Sequence, residues 1–125
     1  MISLDTNYLL RFLTNDIKLQ AQIAKKVIEG SKGVYIPIVT IAETVYFLRN
    51  HYEKGKDDVC KELGLLVKQP NIITEKYVPL ALRLYKNENI SFYDSLFIAE
   101  AIYSKSEIKT FDKKLNNVFT KYLQS

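Results

Sequence analysis

A chain of 125 residues, 47% hydrophobic and with a formal charge of +4, is sized for one domain with a real core and a mildly basic surface. The single Cys60 excludes an internal disulfide, and with a lone His51 it argues against a Cys/His zinc site. No apolar run approaches the roughly 20 residues that span a membrane, and no basic flank precedes a long apolar stretch as in a signal peptide, so a soluble cytoplasmic protein is expected.

Residues 1–4 read as a short strand and Tyr8 to Leu13 as a short helical turn. Asn15 or Asp16 is suited to cap a helix over 17–29, which Gly30 would end. Val34 to Ile36 is a second strand, closed by Pro37. Ile41, Ala42, Val45, Leu48 and Tyr52 recur at helical spacing and predict a helix from Ile41 to about Tyr52. The charged segment Glu53 to Asp58 reads as a turn, and Val59 to Val67 as a helix weakened by Gly64. Ile72-Ile73 is a third strand, and a helix from Val78 to Lys86 tolerates Pro79 in its first turn. After a loop over Asn87 to Ile90, Leu96 to Tyr103 is apolar on nearly all sides, as a buried helix is. Glu107 to Phe111 is a fourth expected strand and Leu115 to Tyr122 a short terminal element. Short strands alternating with longer helices give an α/β class with a mostly parallel sheet. Sites in such sheets form beyond the carboxyl ends of strands, where strand order reverses.

Four acids stand at junctions between these elements, inside hydrophobic sequence: Asp5, Glu43, Asp94 and Asp112. Desolvating an unpaired carboxylate is costly, so such positions call for a reason. Each acid has a structural rival. Asp5-Thr6-Asn7 fits an Asx-type turn, Thr40-x-x-Glu43 and Ser91-x-x-Asp94 fit capping boxes, and Asp112 fits a helix N-cap. Gathered at one edge, the four would instead bind two divalent cations, Mg²⁺ or Mn²⁺, which prefer oxygen ligands. A metal pair about 4 Å apart holds a phosphodiester, activates water and stabilises the leaving oxygen. Thr6, Asn7 and Thr110 are placed to orient the acids or a phosphate. A metal-free route to RNA cleavage commonly uses histidines, and His51 stands alone in a polar patch. A Gly-x-Ser-x-Gly nucleophile motif and a Gly-rich phosphate loop are both missing.

The same residues resemble the PIN-domain ribonucleases, specifically the VapC-type toxins of toxin–antitoxin pairs. Leu4-Asp5-Thr6-Asn7 is similar to their opening motif, and Ile41-Ala42-Glu43-Thr44-Val45-Tyr46 to the second. Tyr93-Asp94-Ser95-Leu96-Phe97-Ile98-Ala99 resembles the third, and Thr110-Phe111-Asp112-Lys113-Lys114-Leu115 the fourth. The resemblance implies a single three-layer α/β/α domain over residues 1–125 with a Mg²⁺- or Mn²⁺-dependent endoribonuclease site. In it Asp5, Glu43, Asp94 and Asp112 would be the metal-binding and catalytic acids, with Thr6 and Thr110 in support. It further implies a homodimer held inactive by a small antitoxin. Some family members carry another acid where this chain has Lys113 and Lys114. Those lysines are suited to substrate phosphates, and Tyr46, Tyr52 and Tyr103 to an interface. Two other readings compete: a receiver-like phospho-acceptor domain and a non-catalytic module that binds RNA or a partner. The first lacks an acid pair after the opening strand, since Asp57-Asp58 fall in the charged stretch. The second leaves acids to repel phosphate.

Overall fold

Three two-residue strands, Ile2–Ser3 (β1), Val34–Tyr35 (β2) and Ile72–Ile73 (β3), form a parallel sheet in the order β1-β2-β3 in the computed structural model, which describes residues 1–124. The end of the domain expected over 1–125 therefore lies just outside the described residues. Ile2 pairs with Val34 and Val34 with Ile72. Single bonds lengthen the ladder at both ends. Leu4 N donates to Tyr35 O at 3.1 Å, Ile36 N to Ile73 O at 2.9 Å, and Ile2 N to Gly33 O at 3.0 Å. The sequential order has no reversal, so the switch point expected for the site is not among the described strands.

Parallel neighbours need long crossovers, and two helices supply each one. Thr6–Thr14 (α1) and Lys18–Gly30 (α2) join β1 to β2, and Ile38–Asn50 (α3) and Lys56–Val67 (α4) join β2 to β3. Leu9, Val34, Ile36, Ile41, Leu48, Val59 and Leu63 are fully buried and make the core of this part.

Several boundaries differ from those read in the sequence, each for a local reason. Neither Asn15 nor Asp16 caps α2, whose N-cap is Ile17. Asn15 takes the left-handed conformation (φ 55°) that ends α1, which asparagine tolerates well. Gly30 is the last residue of α2, and Ser31 follows as its C-cap. Helix α3 begins directly after Pro37, three residues ahead of Ile41, so Thr40 lies inside its first turn. Helix α4 begins at Lys56, where Asp57 and Asp58 in the first turn favour the positive end of the helix dipole.

The chain divides into two compact units, Met1–Glu75 and a second that begins at Lys76. The second unit is helical among its described residues: Val78–Asn87 (α5), Phe92–Ser104 (α6) and Lys113–Leu123 (α7). Tyr85 of α5 meets Phe92 of α6 edge-on with ring centroids 5.4 Å apart, and Val78, Leu84, Ile98 and Ala99 are buried. Glu88, just past α5, accepts from Lys121 Nζ at 2.9 Å and from the Tyr122 hydroxyl at 2.8 Å on α7. Lys105 closes α6 in the left-handed conformation. The strand expected over Glu107 to Phe111 is absent. Its side chains do alternate, with Ile108 and Thr110 half-buried between exposed neighbours, but the backbone carries no ladder. Periodicity reports which face is covered, whereas a strand also needs an edge to pair with.

Seven helices among the described residues and a parallel three-stranded sheet satisfy the expected α/β class. None of these helices is long and apolar enough to cross a membrane.

Candidate functional site

The first acid follows directly from the end of the β1 ladder. Leu4, buried, makes the last ladder bond, and the chain then turns into α1 with Asp5 as its N-cap. Asp5 Oδ1 accepts from Tyr8 N at 2.8 Å. Thr6 is the first helical residue, and its hydroxyl donates to Glu43 Oε1 at 2.6 Å across 37 residues of sequence. One turn before Glu43, the buried Thr40 hydroxyl donates to the Leu4 carbonyl at 2.9 Å. This bond overturns the capping-box reading of Thr40 and Glu43: Thr40 pins α3 to the end of β1 instead. Asp5, Thr6 and Glu43 are thereby brought together beyond the carboxyl end of the first strand.

In the second unit both acids sit at helix starts. Ser91 is the N-cap of α6, and its Oγ accepts from Asp94 N at 3.0 Å, so Asp94 is the third helical residue. Asp112 is the N-cap of α7, with Oδ1 accepting from Lys114 N at 2.9 Å and Leu115 N at 3.2 Å. Thr110 Oγ1 accepts from Asp112 N at 3.1 Å and braces that turn. The reading of Asp112 as a cap therefore holds, while Asp5, expected in an Asx-type turn, caps α1 instead through Tyr8 N; each cap uses only Oδ1. Asp5 Oδ2, Asp112 Oδ2, Glu43 Oε2 and both Asp94 oxygens have no hydrogen-bond partner among the described residues.

Charge makes the same point. The chain has 18 Lys and Arg residues, and its ion pairs include Arg11 with Asp16, Lys54 with Glu62, Lys109 with Glu107 and Lys121 with Glu88. None involves Asp5, Glu43, Asp94 or Asp112. Carboxylates with one oxygen held by the backbone or a hydroxyl, and another free, are pre-oriented hard donors that fit a divalent cation. No group of three or more His, Cys, Asp or Glu side chains placed to hold a metal ion occurs among the described residues.

A model of the PIN domain family matches residues 2–119. The chain belongs to the PIN domain family. PIN domains are generally metal-dependent nucleases, and the match runs through all four acids and both units. No match is found among curated proteins or among solved structures.

One feature of this PIN domain escaped the sequence reading. Asn7 makes no side-chain hydrogen bond among the described residues; it lines, with Asp5, Tyr8 and Arg11 of the α1 segment and Gln20, Ile23 and Ala24 of α2, a cavity of about 340 Å³. Arg11 organises the cavity wall. Its Nε donates to Gln20 Oε1 at 3.0 Å, and its Nη1 donates to the Tyr52 hydroxyl at 3.3 Å and lies 3.4 Å from Asp16. The Tyr52 and Thr14 hydroxyls, then the Arg11 charge, hold the Asp16 carboxyl below its usual range against desolvation. The available signal was Arg11 itself, the lone charge in the apolar run of α1, four residues from Asn7 on the same helix face.

Proposed function

We propose that this PIN domain is a Mg²⁺- or Mn²⁺-dependent endoribonuclease, with Asp5, Glu43, Asp94 and Asp112 supplying the carboxylates of its metal centre. The observation that carries the reading is the unbalanced charge: four acids in family order, none paired with a cation, each with an oxygen left over. A bound divalent cation supplies Lewis acidity at the phosphoryl oxygen and a water of lowered pKa. The chain's own groups do the positioning. Thr6 fixes Glu43 by its hydroxyl, Tyr8 N fixes Asp5, and the turn braced by Thr110 fixes Asp112. Glu43 Oε2 is the group free to take a second metal or to orient the attacking water. Lys113 and Lys114, exposed at the start of α7, are suited to the phosphates of the strand.

The biological role that fits is the toxin of a toxin–antitoxin pair, neutralised by a small antitoxin and acting as a homodimer. Support comes from the family match over residues 2–119 and from the motif resemblance of its four acids. Exposed Tyr46 and Tyr103 are available to a protein partner, whereas Tyr52 is committed to Asp16.

The test uses purified protein and unstructured RNA. Cleavage should require added Mg²⁺ or Mn²⁺, stop with EDTA, and be lost in Asp5→Asn, which keeps an N-cap. Cleavage that survives both treatments would end the reading.

A further inference from the structure

The cavity between α1 and α2 begins at Asp5, so whatever fills it lies beside the proposed reacting phosphodiester. Its polar wall sets the donors of Arg11 and Gln20 beside Asp5 and Asn7. Arg11 is fixed on two of its nitrogens and its side chain is only 19% exposed, while Nη2 has no partner among the described residues. The Gln20 amide oxygen is committed to Arg11, which leaves Nε2 with two N–H groups and no partner. Arg11 and Gln20 therefore carry unspent donors on that side. The other side is apolar: half-exposed Ile23, Ala24 and the Tyr8 ring line the same cavity.

We propose that this cavity seats a guanine base of the RNA strand next to the scissile phosphodiester, with Arg11 and Gln20 donating to its O6 and N7. The choice of RNA as ligand rests on the nuclease reading; the choice of guanine rests on the wall. Single-stranded bases are recognised by stacking on aromatic or apolar side chains and by hydrogen bonds to their edges. Two adjacent donor groups match an edge with two adjacent acceptors, which guanine offers at O6 and N7. Adenine would set its N6 amino donor against them and leave them unpaired, a costly mismatch in a partly desolvated site. A phosphate would satisfy the donors but leave Ile23 and Tyr8 without a partner. The volume, about 340 Å³, suits one flat base with room to enter.

The experiment measures binding, so that it stands apart from cleavage. The Asp94→Asn protein keeps the strand intact and leaves the cavity residues unchanged. Fluorescent single-stranded hexanucleotides carry one guanine at each position in turn, in a background of the other bases, and binding is read by anisotropy at fixed salt. A guanine at one position should tighten binding about tenfold over adenine there. Replacing that guanine by 7-deazaguanine, which lacks the N7 acceptor, should remove most of the gain. Adding Arg11→Lys should erase the preference while changing binding of the adenine strand less than about twofold. Gln20→Leu, whose side chain ends at the surface, should cut the preference severalfold and covers the case in which Arg11→Lys melts. Equal binding of all bases, or a uniform loss across sequences in either variant, overturns the pocket and reduces it to a phosphate contact. The unmodified protein with Mn²⁺ separates the two ideas. Metal-dependent cleavage without guanine-selective binding ends the pocket alone; guanine-selective binding without cleavage supports the pocket and ends the nuclease reading.

Discussion

The two units of this PIN domain hold their acids by different means. In the first, Asp5 and Glu43 belong to elements far apart in sequence and are joined by side-chain bonds at the end of a parallel sheet: Thr6 to Glu43, and Thr40 to Leu4. In the second, Asp94 and Asp112 are placed by their own helix starts, through Ser91 and through the cap of α7. Tertiary bonds hold Glu43 and α3 against the end of β1, whereas Asp5, like the second pair, is also set by its own helix start. The first arrangement should therefore fail when the fold loosens, and the second when a cap is lost.

Substitutions can break or sharpen that contrast. The largest effect is expected from Asp5→Asn and Asp94→Asn, each lowering metal-dependent RNA cleavage on the order of 100-fold or more with little change in melting temperature, because neither removes a cap. A collapse in melting temperature for either would mean that its charge is structural. Next come the two threonines of the first unit. Thr6→Val should reduce kcat about tenfold with the fold intact, as loss of an orienting hydrogen bond does. Thr40→Val should cost about 1–3 kcal/mol in denaturant unfolding, because it leaves the Leu4 carbonyl without that donor. If Thr6→Val is silent in single-turnover cleavage, the bridge to Glu43 does not serve catalysis.

Asp112 tests the second unit. Asp112→Ala should lose about 1 kcal/mol of stability as well as cleavage, whereas Asp112→Asn should lose cleavage but keep most of the cap. Calorimetry and nuclease assays on the same pair separate the two roles. The smallest effect concerns pH. The Lys121 ammonium, then the Tyr122 hydroxyl, hold the Glu88 carboxyl below its usual range. A depressed carboxyl stabilises above its unfolded pKa, about 4.3, and that contribution is lost as pH falls through the lower folded value. Glu88→Gln should therefore melt lower than the native chain near neutrality, and the gap should close below about pH 4.

Much of this architecture was legible because the helical spacing of apolar residues in α3, the all-round apolar run of α6 and the brief apolar strand runs are strong local signals. The acids were legible as a set because each interrupts hydrophobic sequence at a junction. Their local duties were only half legible. Ser91 and Asp112 do cap helices as their patterns suggest, but Thr40 does not, because a buried carbonyl at the end of β1 competes for its hydroxyl. The same pattern of residues supports either bond, and only the tertiary neighbour decides. Residues 107–111 show a similar gap, since alternation cannot announce the lack of an edge. Arg11 went unread because a cavity arises from two helices, and no window along one of them contains it.

The bond from Thr40 to the Leu4 carbonyl has a consequence for how freely this protein can be rebuilt. Asp5 and Glu43 are registered to each other by that bond, by the Thr6 bridge and by the β1–β2 ladder, none of which involves α2. Helix α2 is thus a passive tether as far as these two acids are concerned. Lengthening the chain near exposed Glu29 or Lys32 should leave their spacing intact, so a loop-extended variant is a natural scaffold for changing what the α1–α2 cavity accepts.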